Sequence, residues 1–323
     1  MENRSLASEM ILLLTAALWG FAFVAQRVGM EFMGPLTYNG IRFLMGGASL
    51  LPLIYIRRRM DLTRGPAAPD LPGGPRRETP GRSTEAPPTA PGRLRALAGP
   101  SLAGGLIITV AANLQQWSMK FITAGKAGFI TGLYVVLVPV AGILVKRRTP
   151  VLAWAGCAAA AGGLYFLSVT EEFTIARGDL IVLASTFFWT GHILFLDTFA
   201  KRVDPVELSA GQFLVCGALT LAGALVFEGP TWSSGRAAAV PLLYGGLVSI
   251  GIAYTLQAVA QRRAHPARAA VVMSLETVFA AVGGALLLSE RLSPREFLGC
   301  ALMFAGMLIA QAPSPKRRKR APA

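Results

Sequence analysis

Apolar stretches of membrane-spanning length alternate along this chain with short polar or basic breaks. A helix rises about 1.5 Å per residue, so a bilayer core takes about twenty apolar residues. Six charge-free stretches reach or approach that length: 96–119, 127–145, 150–170, 208–227, 237–261 and 297–314. Four more contain or border a single charge: 8–26, 36–56 with Arg42, 180–199 with Asp197, and 266–288 with Glu276. The pattern predicts an all-α integral membrane protein with ten transmembrane helices. Proline opens or closely precedes several of the stretches (Pro35, Pro100, Pro150, Pro205, Pro241, Pro266, Pro294). It is tolerated in a first helical turn, where its missing N–H has no partner to lose. Segment 8–26 reads as a retained span and not as a cleaved leader, because Glu2 and Glu9 precede or open it and the apolar run is long.

Composition agrees with this reading. Charged residues make up 15% of the 323, against roughly 25% in soluble proteins, and the mean hydropathy is +0.52. A net charge of +14 would suggest nucleic acid in a soluble domain. Here the basic residues sit in short clusters between apolar runs, without interleaved aromatics, which is the mark of membrane topology. Counted loop by loop, most lysines and arginines fall on one side: Arg4, the arginines of 57–95, Lys146 to Arg148, Lys201-Arg202, Arg262, Arg263, Arg268 and the tail from Lys316 to Arg320. By the positive-inside rule both termini are expected in the cytoplasm, as an even number of spans requires. The bilayer expected is a bacterial inner membrane. Segment 57–95, rich in Pro, Gly and Arg, reads as a disordered cytoplasmic linker.

Little in the sequence points to chemistry. Cys157, Cys216 and Cys300 lie in separate apolar runs without metal or redox spacing. Two histidines, no HExxH and no GxSxG leave no catalytic constellation. The expectation is a protein that is not an enzyme, without cofactor or metal, whose partners are the lipid bilayer, a small molecule and, through Glu276, protons. Nucleic acid is not expected, and an oligomer is allowed but not implied.

The second half echoes the first. Trp19 aligns with Trp189, Pro35 with Pro205, and Arg42-Phe43-Leu44-Met45 with Gln212-Phe213-Leu214-Val215, all at one offset. Further on, Gly104-Gly105-Leu106 matches Gly245-Gly246-Leu247, Leu114-Gln115 matches Leu256-Gln257, and Lys126-Ala127-Gly128 matches Arg268-Ala269-Ala270. Leu133 then meets Leu275, and Gly142 meets Gly284. The expected units are 1–169 and 178–312, followed by a basic tail, 313–323. Five spans per unit is an odd number, so consecutive copies must be inverted across the membrane. Inverted repeats are a common architecture of secondary transporters, with the substrate site between the halves.

Three runs carry a family resemblance: Ala16-Ala17-Leu18-Trp19-Gly20, the stretch from Gly128 to Pro139, and Ser274-Leu275-Glu276-Thr277-Val278-Phe279-Ala280-Ala281 followed by Ser289-Glu290. From these the chain resembles the EamA family of the drug/metabolite transporter superfamily, over nearly all of its length apart from 57–95 and the tail. The resemblance implies an exporter of amino acids or other small metabolites, while relatives carry nucleotide sugars or lipid-linked sugars. Thr277 departs from the family, which often has proline after the glutamate. A lipid-linked sugar flippase and a non-transporting scaffold or sensor remain as alternatives.

Ten residues are candidates for substrate binding or coupling. Glu276 stands about nine residues into its stretch, where a carboxylate is costly unless it faces protein or water. It can carry a proton or pair with a substrate ammonium, or it can be a structural glutamate bonded to a neighbouring helix. Arg42 can contact a substrate carboxylate, or its head can snorkel to the membrane surface. Asn113, Gln116, Tyr254 and Gln257 must find hydrogen-bond partners and should face the bundle interior, as a cavity lining or as helix–helix links; the same holds for Gln115. Trp19 and Trp189 read as cavity wall or as core. His192 shares a helix with Trp189 and reads as a pH sensor or as a hydrogen-bonded core histidine. Tyr134 and Pro139 mark the fourth span, where the proline favours a kink.

Overall fold

A computed structural model describes residues 2–63, 90–141, 151–168, 175–199, 202–261, 272–273 and 275–311. Helices occupy part of each of the ten apolar stretches: α1 (Glu2–Gly29), α2 (Pro35–Thr63), α3 (Ala90–Ser118), α4 (Ala124–Gly132), α5 (Tyr134–Ala141), α6 (Val151–Ser168), α7 (Arg177–Phe199), α8 (Pro205–Phe227), α9 (Trp232–Ala237), α10 (Ala239–Leu243), a π-helical stretch (Tyr244–Ala253), α11 (Tyr254–Gln261), α12 (Glu276–Leu288) and α13 (Pro294–Gln311). Among the described residues, six helices are long and apolar enough to cross a membrane, and Ala124–Val138, Trp154–Leu167 and Glu276–Leu288 are shorter apolar ones. Large apolar side chains such as Leu106, Leu225, Val226, Phe227, Leu286 and Leu287 stand exposed on the outside. In water that surface would be a liability; in lipid it is matched to its solvent.

The helices depart from the sequence expectation at both ends of segment 57–95. α2 continues to Thr63 and α3 already begins at Ala90. The remainder of that segment, Lys146 to Arg148, Arg262, Arg263, Arg268 and the tail lie outside the described residues, as do Gly142 and Glu171-Glu172. Three stretches expected as single helices are interrupted. The fourth breaks at Leu133, between α4 and α5, and the helix runs on through Pro139, where the kink was expected. The eighth passes through the π-helical stretch. In the ninth, residues 272–273 and Glu276–Leu288 are helical and a turn falls at Leu275.

Packing follows an exchange rule between the first five helical segments and the last five. α2 packs on α8, α6 on α13, and α4 on α12, each joining a segment to its counterpart. The other contacts come in matched couples. α3 meets α8 as α2 meets the π-helical stretch, and α3 meets α7 as α1 meets that stretch and α11. α1 meets α12 as α7 meets α4 and α5. Glycine allows the close approach of α4 and α12: a Cβ at Gly128 would fall on the Ala280 side chain, and one at Gly132 on Thr277. That approach brings the breaks at Leu133 and Leu275 face to face.

Two carboxylates outside the expected site pin helix starts in this arrangement. Glu228, just past α8, accepts from the Leu36 and Thr37 amides (3.0 and 2.7 Å) and from the Thr37 hydroxyl (2.7 Å) at the start of α2. Glu290, just past α12, accepts from the Ala124 and Gly125 amides (2.7 and 3.1 Å) at the start of α4. Both satisfy amides that have no partner inside their helix, and both place negative charge at the positive end of its dipole. Ser289, in the left-handed conformation (φ 55°), turns the chain that delivers Glu290. At the same end of the bundle Lys126 and Asp179 form a buried ion pair (3.0 Å) joining α4 to α7.

Candidate functional site

A cavity of about 130 Å³ lies among α1, α2, α3, α4, α5, α7, the π-helical stretch, α11 and the start of α12. Eight of the ten candidates line it: Trp19, Arg42, Tyr134, Trp189, His192, Tyr254, Gln257 and Glu276. The other two, Asn113 and Gln116, do not. Asn113 donates to the Thr109 carbonyl and the Thr220 hydroxyl (both 2.8 Å) and accepts from Asn39 (2.9 Å). Gln116 is fully buried and donates to the Gln26 carbonyl (2.9 Å). These bonds join α3 to α1, α2 and α8.

Glu276 is the first residue of α12, where the helix dipole favours negative charge. Its side chain is only 4% exposed. The Tyr134 hydroxyl donates to its Oε1 at 2.8 Å. Tyr134 follows Leu133 and Glu276 follows Leu275, the two leucines paired in the sequence alignment of the halves, and both stand where their helices break. Opposite ends of the pattern thus meet at one hydrogen bond.

Arg42 does not snorkel. It is 4% exposed, with its guanidinium carbon 4.9 Å from the Phe43 ring centre and 5.6 Å from that of Tyr38. Its Nε donates to Asn39 Oδ1 at 2.8 Å, and Asn39 donates in turn to the Ala112 carbonyl and to Asn113 (both 2.9 Å). Asn113 therefore holds Arg42 in place through Asn39. The terminal guanidinium nitrogens make no hydrogen bond among the described residues, nor does the second oxygen of Glu276. Arg42 and Glu276 form no ion pair with each other. One cavity thus holds one buried cation and one buried carboxylate, each with a free edge.

The walls are aromatic. Trp19, Tyr254 and Phe213 meet edge to face (4.8 and 4.9 Å between ring centres), and Phe213 packs on Phe43. His192 lies beside Trp189, 5.9 Å between ring centres, and its Nε2 is 3.0 Å from Gln212 Oε1. The cavity also includes Gln26, Gln115, Thr131 and Ser249. Of these only Gln115 stood out in the sequence. The others are small hydroxyls or a helix-end amide inside apolar stretches, where they barely move the hydropathy. Trp189 Nε1 donates to Gln115 Oε1 (2.7 Å), while Trp19 Nε1 donates to the Ser249 carbonyl (3.1 Å).

A profile of the EamA-like transporter family matches residues 7–169 and again 176–311. The chain belongs to that family. Its relatives include an uncharacterized transporter of Archaeoglobus fulgidus, 25% identical over 95% of this chain and 86% of the other. The uncharacterized transporter YwfM of Bacillus subtilis is 26% identical over 98% and 97%. The uncharacterized inner membrane transporter YedA of Escherichia coli K12 is 25% identical over 90% and 87%. A crystal structure 20% identical in sequence shares the fold, with a TM-score of 0.61 over 94% of this chain and 95% of that one. The protein is a multi-pass membrane transporter of the drug/metabolite type.

Proposed function

We propose that this EamA protein is a secondary transporter that exports a small zwitterionic metabolite, an amino acid or a near relative. The observation that carries the reading is the pair of opposite charges in the cavity, both buried and neither neutralising the other. An unpaired buried charge costs several kcal/mol. A zwitterion offsets both costs at once, its carboxylate on the free edge of Arg42 and its ammonium on Glu276, with the Trp19 and Trp189 rings enclosing what lies between. Two equal negative groups, as on a sugar diphosphate, would meet a carboxylate instead of a second cation.

The transport cycle in this reading rocks two inverted five-helix halves around the cavity, with ten spans in a bacterial inner membrane and both termini cytoplasmic. Helix breaks at matched positions are what many such transporters use to aim helix ends at a bound ion or substrate. Support comes from the break at Leu133 facing the start of α12, and from the exchange rule in the packing. Glu276 serves as the coupling group. When it is protonated, its bond from Tyr134 competes less well with cavity solvent, and the halves are freer to part.

The test is flux of a labelled amino-acid panel into proteoliposomes, with and without a pH gradient. Wild type, Glu276→Gln and Arg42→Gln are compared, with monodispersity confirming that each is folded. Saturable flux, steepened by the gradient and lost in both variants, is the expected result. Undiminished flux in both would exclude the charge pair as the binding site.

A further inference from the structure

The repeat hides a one-residue insertion. Leu106 and Leu114 stand eight positions apart in α3, but their counterparts Leu247 and Leu256 stand nine apart. The π-helical stretch, Tyr244–Ala253, takes up most of that interval. A π turn is how a helix absorbs one extra residue without losing the register of its flanks, and such turns are frequent at functional sites. The wider turn cannot expand toward α2. A Cβ on Gly246 would come within 2.9 Å of the Met45 Cβ and 3.1 Å of the Arg42 carbonyl, and one on Gly251 within 2.5 Å of the Ser49 hydroxyl. Ser249 and Ile250 of the stretch line the cavity wall.

Its consequence shows in the two tryptophans. Trp189 bonds Gln115; by the exchange of halves, Trp19 should bond Gln257, the counterpart of Gln115. It bonds the Ser249 carbonyl of the π-helical stretch instead. Gln257 is left with one weak contact, its Nε2 3.8 Å from Met273 Sδ. Among the described residues the hydroxyls of Ser249 and Tyr254 have no hydrogen-bond partner, and both side chains line the cavity.

We infer that the π-helical stretch, by drawing Trp19 onto Ser249, frees Gln257, Tyr254 and Ser249 to form a second subsite, which takes an uncharged hydrogen-bonding group of the substrate such as a hydroxyl or carboxamide. The inference rests on the zwitterion reading and adds to it a preference among zwitterions: polar uncharged side chains over apolar ones. A site built to hydrogen-bond a substrate group discriminates far more strongly against an analogue lacking it than an apolar pocket discriminates by size.

The experiment compares flux of labelled asparagine and labelled leucine in proteoliposomes for wild type, Gln257→Leu, Tyr254→Phe and a deletion of Ile252. That residue is half exposed on the outer surface, and its loss returns the spacing to that of α3. Wild type is expected to favour asparagine by at least about tenfold, and each variant to bring the ratio down toward one. If the deletion variant does not fold, the two point variants decide. A wild type that favours leucine overturns the inference, as does a ratio unmoved in both point variants; either result leaves the zwitterion reading intact. Flux of neither compound by folded wild type overturns both.

Discussion

α3 and the segment formed by the π-helical stretch with α11 occupy equivalent places in the two halves, yet they use their polar residues in opposite ways. On α3, Asn113, Gln115 and Gln116 are tied to Asn39, Thr220, Trp189 and Gln26, and the helix acts as a beam that holds Arg42 and Trp189 in position. On the counterpart, Ser249, Tyr254 and Gln257 keep their hydrogen-bonding groups for the cavity. The two segments descend from one pattern and differ by a single inserted residue. In the proposed cycle two matched halves provide the frame for alternating access, but a substrate has no such symmetry, and the binding wall must break it somewhere. Here it is broken where the helix is widened.

The largest effect that can test this division is on the charges both walls enclose. Glu276→Gln and Arg42→Gln are each expected to lower flux by about a hundredfold or more, the scale of a lost buried charge partner at 1.4 kcal/mol per decade. Flux assays on monodisperse protein check it. If only one of the two matters, the cavity serves a singly charged substrate.

Next in size is the matched glutamine pair. Gln115→Leu leaves the Trp189 N–H and the Gln26 side-chain oxygen without their partners and should cost about 1–3 kcal/mol of stability. Gln257→Leu removes almost nothing from the fold and should change stability by less than about 0.5 kcal/mol, its effect appearing in selectivity. Thermal unfolding of the two variants side by side reads the difference. Equal losses would erase the distinction between beam and wall. The smallest contrast is between the tryptophans. Trp189→Phe should destabilise by about 1 kcal/mol more than Trp19→Phe, because a buried side-chain acceptor is orphaned, whereas the Ser249 carbonyl keeps its place in a helix.

Much of this was legible in the sequence, for reasons that differ by residue. Glu276 stood out because a carboxylate inside an apolar stretch is rare and costly, and the aromatic pair Trp19 and Trp189 because it repeats at one offset. Arg42 was ambiguous, since depth in a bilayer is set by neighbouring helices and not by position along one's own. Tyr134 and Glu276 follow the aligned pair Leu133 and Leu275, but their hydrogen bond appears only once α4 lies on α12. Glu228 and Glu290 follow apolar stretches, and their role depends on helix starts brought close by packing. Asn113 and Gln116 were polar residues in an apolar helix, a signal that does not separate a cavity lining from a helix link. The π-helical stretch was visible as a one-residue change of offset, a signal easily lost among weakly similar apolar residues.

The most direct test of the account is substrate protection of the wall itself. In a background of Cys157→Ser, Cys216→Ala and Cys300→Ala, Gln257→Cys is modified with a charged thiol reagent in membranes, with and without a transported amino acid. The account predicts modification that the amino acid slows several-fold, and loss of that protection when Arg42→Gln is added. Modification at the same rate with and without a compound that the protein demonstrably moves would place the binding site elsewhere and contradict the account.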